Sequence, residues 1–151
     1  MEKKMIERLD YVSINGPAIA SMAKAKDDIL SINNKLRALI ELRVSQINGC
    51  AYCVDLHTIE ARKAGETTQR LDCLTVWREV NFFDKAEKAA LEWAEAVTGI
   101  ATNGAPEHLY AALFEHFSET EIVDLTLIIA QMNAWNRLAI SFGHLPDARS
   151  E

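Results

Sequence analysis

The stretch that opens at Ser118 constrains the fold more than any other part of the chain. Ser118-Glu-Thr-Glu121 has the spacing of a capping box, in which Ser and Glu side chains each accept the other's backbone N–H. Phe117 and Ile122 stand where a hydrophobic staple would close over it. From there to about Ser141, Val123, Leu125, Leu127, Ile128, Ile129, Met132, Trp135, Leu138 and Ile140 leave few sides of the helix polar. A helix apolar on most sides has to be covered on most sides. It therefore predicts a central helix, a subunit interface, or both.

The rest of the chain also reads as helices. Only six glycines and three prolines are present, too few turn formers for a many-stranded β fold. Pro17 suits the first turn of a helix reaching about Leu30, and Ser31-Ile-Asn-Asn34 breaks the chain. Leu36, Leu39, Ile40, Val44 and Ile47 then recur at helical spacing, up to a stop at Asn48-Gly49. Further helices are expected over about 50–64, 68–77, 84–98 (opened by an Asp84-to-Glu87 capping box) and 106–117. No strand pattern, repeat or low-complexity tract is visible. The expectation is one all-α domain of about six to seven helices over 17–145, with an irregular segment at 1–16 and a tail at 146–151.

Charge and apolar runs exclude several function classes. A net charge of −6 without a Lys/Arg cluster argues against nucleic acid or a membrane surface as partner. The most apolar run, Leu125 to Phe142, is interrupted by Gln131, Asn133, Asn136 and Arg137, so it is not a membrane span. The first residues carry no signal pattern, and a cytoplasmic protein is expected. Three cysteines in such a chain point to reduced thiols rather than a disulfide framework.

Chemistry concentrates in Asn48-Gly-Cys50-Ala-Tyr-Cys53-Val-Asp-Leu-His57. On a helix, spacings of three and four put Cys50, Cys53 and His57 along one stripe. Cys50 falls in the first turn, where free backbone N–H groups and the helix dipole favour a thiolate. His57, one turn beyond Cys53, is placed to take its proton. Thiolate is the nucleophilic form of sulfur, so the set suits attack on a peroxide or a disulfide. Cys53 would become a sulfenic acid and Cys50 would condense with it, expelling water.

Other readings compete. Buried cysteines can be inert packing groups. Two thiols and an imidazole also offer three zinc ligands, but the fourth would have to be Cys73, beyond a helix break. A thioredoxin-type domain needs βαβ surroundings, which are missing. No metal or other cofactor is implied. A carboxylate commonly orients the imidazole in a proton relay. Glu41, flanked by Leu39, Ile40 and Leu42, is the best placed, with Glu60 and Glu79 as alternatives. Cys73, Trp77, Phe82, Phe83 and Trp93 read as packing residues, and His108, His116 and His144 as surface or capping residues. Asn133, Asn136 and Arg137 need polar partners, across an oligomer interface or toward the dithiol.

The run from Leu42 through Cys50-Ala-Tyr-Cys53 to His57 resembles the core of AhpD-like alkylhydroperoxidases, within the carboxymuconolactone decarboxylase family. Trp77-Arg-Glu79, Glu87 to Leu91, Glu95 to Thr98 and Asn133 to Leu138 extend the resemblance over roughly 30–140. It implies an AhpD-like helical bundle assembled as a homotrimer or homohexamer. It implies Cys53 as the peroxide-attacking thiol, Cys50 as its resolving partner and His57 as the base, with a small hydroperoxide as substrate and a separate thiol as reductant. The family's relay adds a glutamate twelve residues before the first cysteine, where this chain has Ala38. Glu41, one turn later on nearly the same face, is placed to substitute. A redox-sensing or disulfide-reductase oligomer is the second reading. A lactone decarboxylase is the third, and members of that kind do not resemble this chain in carrying the dithiol.

Overall fold

The computed structural model describes residues 8–150, and among these there is no strand. In chain order the helices are α1 (Tyr11–Ile14), α2 (Gly16–Lys24), α3 (Asn34–Asn48), α4 (Ala51–Lys63) and α5 (Thr68–Asp72). They continue with α6 (Lys85–Thr98), α7 (Ile100–Asn103), α8 (Glu107–Leu113) and α9 (Glu119–Phe142). Short 3-10 segments cover Ala25–Asp28 and Leu74–Glu79.

Nine helices therefore stand among the described residues where six to seven were expected. Two of the extra ones are single turns, α1 in the segment expected to be irregular and α7 directly after α6. The expected helix to Leu30 tightens into 3-10 turns after Lys24, and the one to Trp77 does so after Asp72. The backbone at Val76 is non-helical, with φ −120° and ψ 30°.

Local signals hold where side chains satisfy orphan backbone groups. Both capping boxes form: Asp84 with Glu87 opens α6 and Ser118 with Glu121 opens α9. Asn33 caps α3 by accepting from the Leu36 N–H at 2.9 Å. Gly49 and Gly143 end α3 and α9 with φ of 70° and 67°, left-handed geometry that a side chain opposes.

The centre of the bundle is α3 rather than α9. It packs on α4, α6 and α9, and nine of its residues are buried. Leu39, Ile40, Leu42 and Val44 join Leu91 and Ala94 of α6 and Leu125, Ile128 and Ile129 of α9 in one core. Helix α9 buries a single face and leaves Val123, Leu127 and Ile140 exposed. Polar spacing conceals the centrality of α3, because Arg37, Glu41 and Ser45 are buried with it. Buried polar groups persist where they find partners, and among the described residues no buried side-chain N or O lacks one. Among the described residues no helix is long and apolar enough to cross a membrane.

Leu39 is fully buried on α3, so Leu39→Ala should cost about 2–5 kcal/mol of unfolding free energy in urea titration. A loss below about 0.5 kcal/mol, the range of an ordinary surface change, would mean α3 is not central.

Candidate active site

The site begins at the joint between α3 and α4. Gly49 turns the chain with its left-handed backbone, and the Cys50 N–H donates to the Ser45 carbonyl at 3.1 Å. Cys50 becomes the N-cap of α4, a place usually filled by a small oxygen side chain. Its sulfur accepts from the Cys53 N–H at 3.4 Å and lies 2.7 Å from the Cys53 sulfur. Both are free cysteines and both are buried. The expected spacing thus brings the thiols together within one turn.

One turn on, His57 is buried and turns its Nδ1 toward two carboxylates, Glu60 at 3.0 Å and Glu41 at 3.7 Å. The Arg37 Nε donates to the far oxygen of Glu41 at 3.0 Å. Arg37 and Glu41 are four residues apart on α3, so the guanidinium meets the carboxylate along one helical face while that carboxylate turns its other oxygen to the imidazole. Two of the three candidate carboxylates therefore meet His57. Glu79 does not: it is exposed in the 3-10 segment after α5, outside the site. Ala38 is buried on α3, three residues before the Glu41 whose carboxylate stands 3.7 Å from the imidazole.

A cavity of about 320 Å³ opens beside these groups. Cys53, His57, Glu41 and Glu60 form one side of it, Ile128, Met132 and Trp135 of α9 line it, and Tyr11, Tyr52 and His144 stand around them. Cys50 is set behind Cys53 and is not part of the lining. The convergent possible metal-ligand atoms among the described residues are those of Glu41, His57 and Glu60, within 4.8 Å of one another. That set differs from the Cys–Cys–His grouping of the sequence, and the Arg37 guanidinium bonded to Glu41 already supplies positive charge there.

The thiols divide their protons unequally. The Cys50 thiol is pulled down to about 7 by the hydrogen bond from Cys53, helped by the Cys53 N–H and the Asn136 amide and opposed by burial. The Cys53 thiol is pushed well above its ordinary value, because it donates to Cys50 and is buried beside it. The pair therefore gives up its first proton more readily than an ordinary thiol and its second less readily, with Cys50 the favoured site of the charge. Two adjacent thiolates would repel each other, so the pair titrates as a unit. A Cys53 with an inherently low pKa, the simplest expectation for an attacking thiol, is not what this geometry produces.

Several contributors were not legible in advance. Asn136, left open between an interface and the dithiol, faces the dithiol: it accepts from Asn48 at 2.9 Å and donates to Ser45 at 3.1 Å. His144, expected at the surface, lines the cavity with its ring stacked on Tyr52 at 3.9 Å between centroids. Tyr11 reaches the same wall from α1. Arg37 had a signal, its i,i+4 relation to Glu41. Trp77 and Trp93 pack as expected, donating to Glu95 at 3.1 Å and Thr126 at 3.0 Å.

Compared with known proteins, residues 18–96 match the model of the carboxymuconolactone decarboxylase family, just over half of the chain. The chain belongs to that family. It is 52% identical to the Bacillus subtilis (strain 168) protein YdfG over 142 residues, which is 93% of this chain and 97% of that one. An Agrobacterium tumefaciens protein of unknown function, described as a candidate antioxidant defence protein AhpD, superposes with a TM-score of 0.91 at 36% identity, over 95% of this chain and all of that one. The debrominase Bmp8 superposes with a TM-score of 0.79 at 21% identity, over 91% of this chain and 75% of that one. This carboxymuconolactone decarboxylase family member thus has the AhpD-like fold.

The shared proton has a measurable consequence. Thiolate absorbance of the reduced protein should rise with a midpoint of about 7. Cys53→Ala removes the donor to Cys50 and should move that midpoint up toward an ordinary cysteine. An unchanged midpoint would contradict the shared proton.

Proposed function

We propose that this protein is a thiol-dependent peroxidase that reduces small organic hydroperoxides through Cys53 and Cys50. The observation that carries the reading is a pair of thiols 2.7 Å apart, one of them on a cavity wall shared with a buried His57 and its two carboxylates. Inert packing cysteines would have no use for such a neighbourhood. Perturbed ionisable groups gathered in a cavity are a common mark of reactive sites.

The cycle balances with the groups present. The proton of Cys53 passes to His57, and Glu41 and Glu60 stabilise the imidazolium. The Cys53 sulfur attacks one peroxide oxygen, forming an S–O bond as the O–O bond breaks and an alkoxide departs. The Cys50 thiolate then attacks the Cys53 sulfenic acid. An S–S bond forms, the S–O bond breaks, and the departing hydroxide takes the His57 proton as water. A separate dithiol reopens the disulfide by exchange, becoming a disulfide itself. Cys50 is charged from the outset, and in this cycle that charge serves the resolving step.

The near-complete burial of both cysteines, 1% and 4% exposed as residues, favours a second reading: a dithiol that records oxidation without useful turnover. A lactone decarboxylation has no role for the thiol pair.

Reduced protein supplied with cumene hydroperoxide and dithiothreitol should consume peroxide continuously, and Cys53→Ser should abolish consumption. Equal rates in wild type and Cys53→Ser would end the peroxidase reading, and one stoichiometric oxidation without recycling would favour the sensor. His57→Gln should lower the rate by about 10²–10⁴-fold, the usual contribution of a positioned base. A smaller effect would remove His57 from that role.

A further inference from the structure

The cycle above, on which this inference rests, leaves one proton unassigned. His57 returns its proton to the hydroxide released from the sulfenic acid, so the alkoxide from the first step needs an acid of its own. On the cavity wall beside Cys53, the Tyr11 hydroxyl and the His144 Nδ1 are hydrogen-bonded at 3.2 Å.

Both side chains are brought there by specific backbone devices. Gly143 ends α9 in left-handed geometry, and the following His144 N–H bonds back to the Ala139 carbonyl at 2.9 Å. That turn lays the imidazole flat on Tyr52, the residue before Cys53. Helix α1 is clasped to the same end of α9 by Arg8, whose backbone N–H donates to the Phe142 carbonyl at 3.0 Å and whose guanidinium donates to the Ser141 carbonyl at 2.9 Å. The Tyr11 ring stacks on Phe142 with centroids 5.4 Å apart. Neither Tyr11 nor His144 lies within the residues that match the family model.

We propose that Tyr11, with His144 as its proton donor, is the general acid that protonates the oxygen leaving the peroxide. As the S–O bond forms and the O–O bond breaks, the phenol proton moves to the alkoxide, giving an alcohol. The His144 Nδ1–H returns a proton to the phenolate through the same hydrogen bond, and solvent replaces the proton on the imidazole. Burial first, and the ionisable thiols beside it second, raise the Tyr11 hydroxyl above an ordinary tyrosine, so it keeps its proton until one is demanded.

The leaving group separates an acid from a mere cover over the cavity. An alkyl or aryl-alkyl hydroperoxide releases a strongly basic alkoxide, whereas a peracid releases a carboxylate that needs no proton. Reduced full-length protein would be mixed with cumene hydroperoxide or peracetic acid, and Cys53 oxidation followed in a single turnover. Tyr11→Phe, which keeps the stacking on Phe142, should slow the cumene hydroperoxide reaction by about 10²-fold, within the range for a positioned acid. It should leave the peracetic acid reaction unchanged, and His144→Asn should show the same selectivity. Equal slowing with both oxidants, or no slowing with cumene hydroperoxide, overturns the acid role and leaves the peroxidase reading standing. A wild type inert to both oxidants overturns the two together.

Discussion

One amide holds the site in place. Asn136 is completely buried where α9 crosses the end of α3, accepting from Asn48 and donating to Ser45. Ser45 in turn donates to the Glu41 carbonyl, and its own carbonyl receives the Cys50 N–H. The amide also lies against both thiols and favours their charged forms. An unpaired amide in that position would cost roughly 1–3 kcal/mol. The crossing of α3 and α9 is therefore tied to a geometry that also positions the dithiol, and packing and chemistry share one set of bonds.

Two left-handed glycines carry that order outward. Gly49 turns α3 into α4 so that Cys50 caps the new helix, and Gly143 turns the chain so that His144 folds back over Tyr52. The cavity is built between these two turns, with α9 supplying Ile128, Met132 and Trp135. The charge distribution follows. Arg37 bonds to Glu41, Glu41 and Glu60 face His57, and the sulfurs share a proton at the N-terminus of α4. Each buried acid thus has a polar partner, Arg37 for Glu41 and the imidazole for both carboxylates, as buried charge requires.

What the sequence made legible is local. Capping boxes at Asp84 and Ser118 depend on residues three apart, and both form. The stripe from Cys50 to His57 depends on one helix, and it brings the thiols together and places Cys53 and the imidazole on one cavity. Long-range pairing was not legible. Tyr11 and His144 are 133 positions apart, and nothing in either segment announces the other. Asn136 had an evident need for partners, but its choice of Asn48 and Ser45 requires the crossing of two helices. The centrality of α3 was concealed because Arg37 and Glu41 satisfy each other, which lets a helix with polar residues on its inner face be buried. Single turns such as α1 and α7 are too short for any periodic pattern to show.

The account turns on which sulfur meets the peroxide: Cys53, on the cavity wall, and not Cys50, which carries the resting charge behind it. Direct trapping of the oxidised sulfur decides this. Cys50→Ser protein treated with one equivalent of cumene hydroperoxide and dimedone should carry the dimedone adduct on Cys53, located by peptide mass spectrometry, while Cys53→Ser protein should carry none on Cys50. Rapid labelling of Cys50 in the Cys53→Ser protein, with Cys53 slow in the converse variant, would contradict the account.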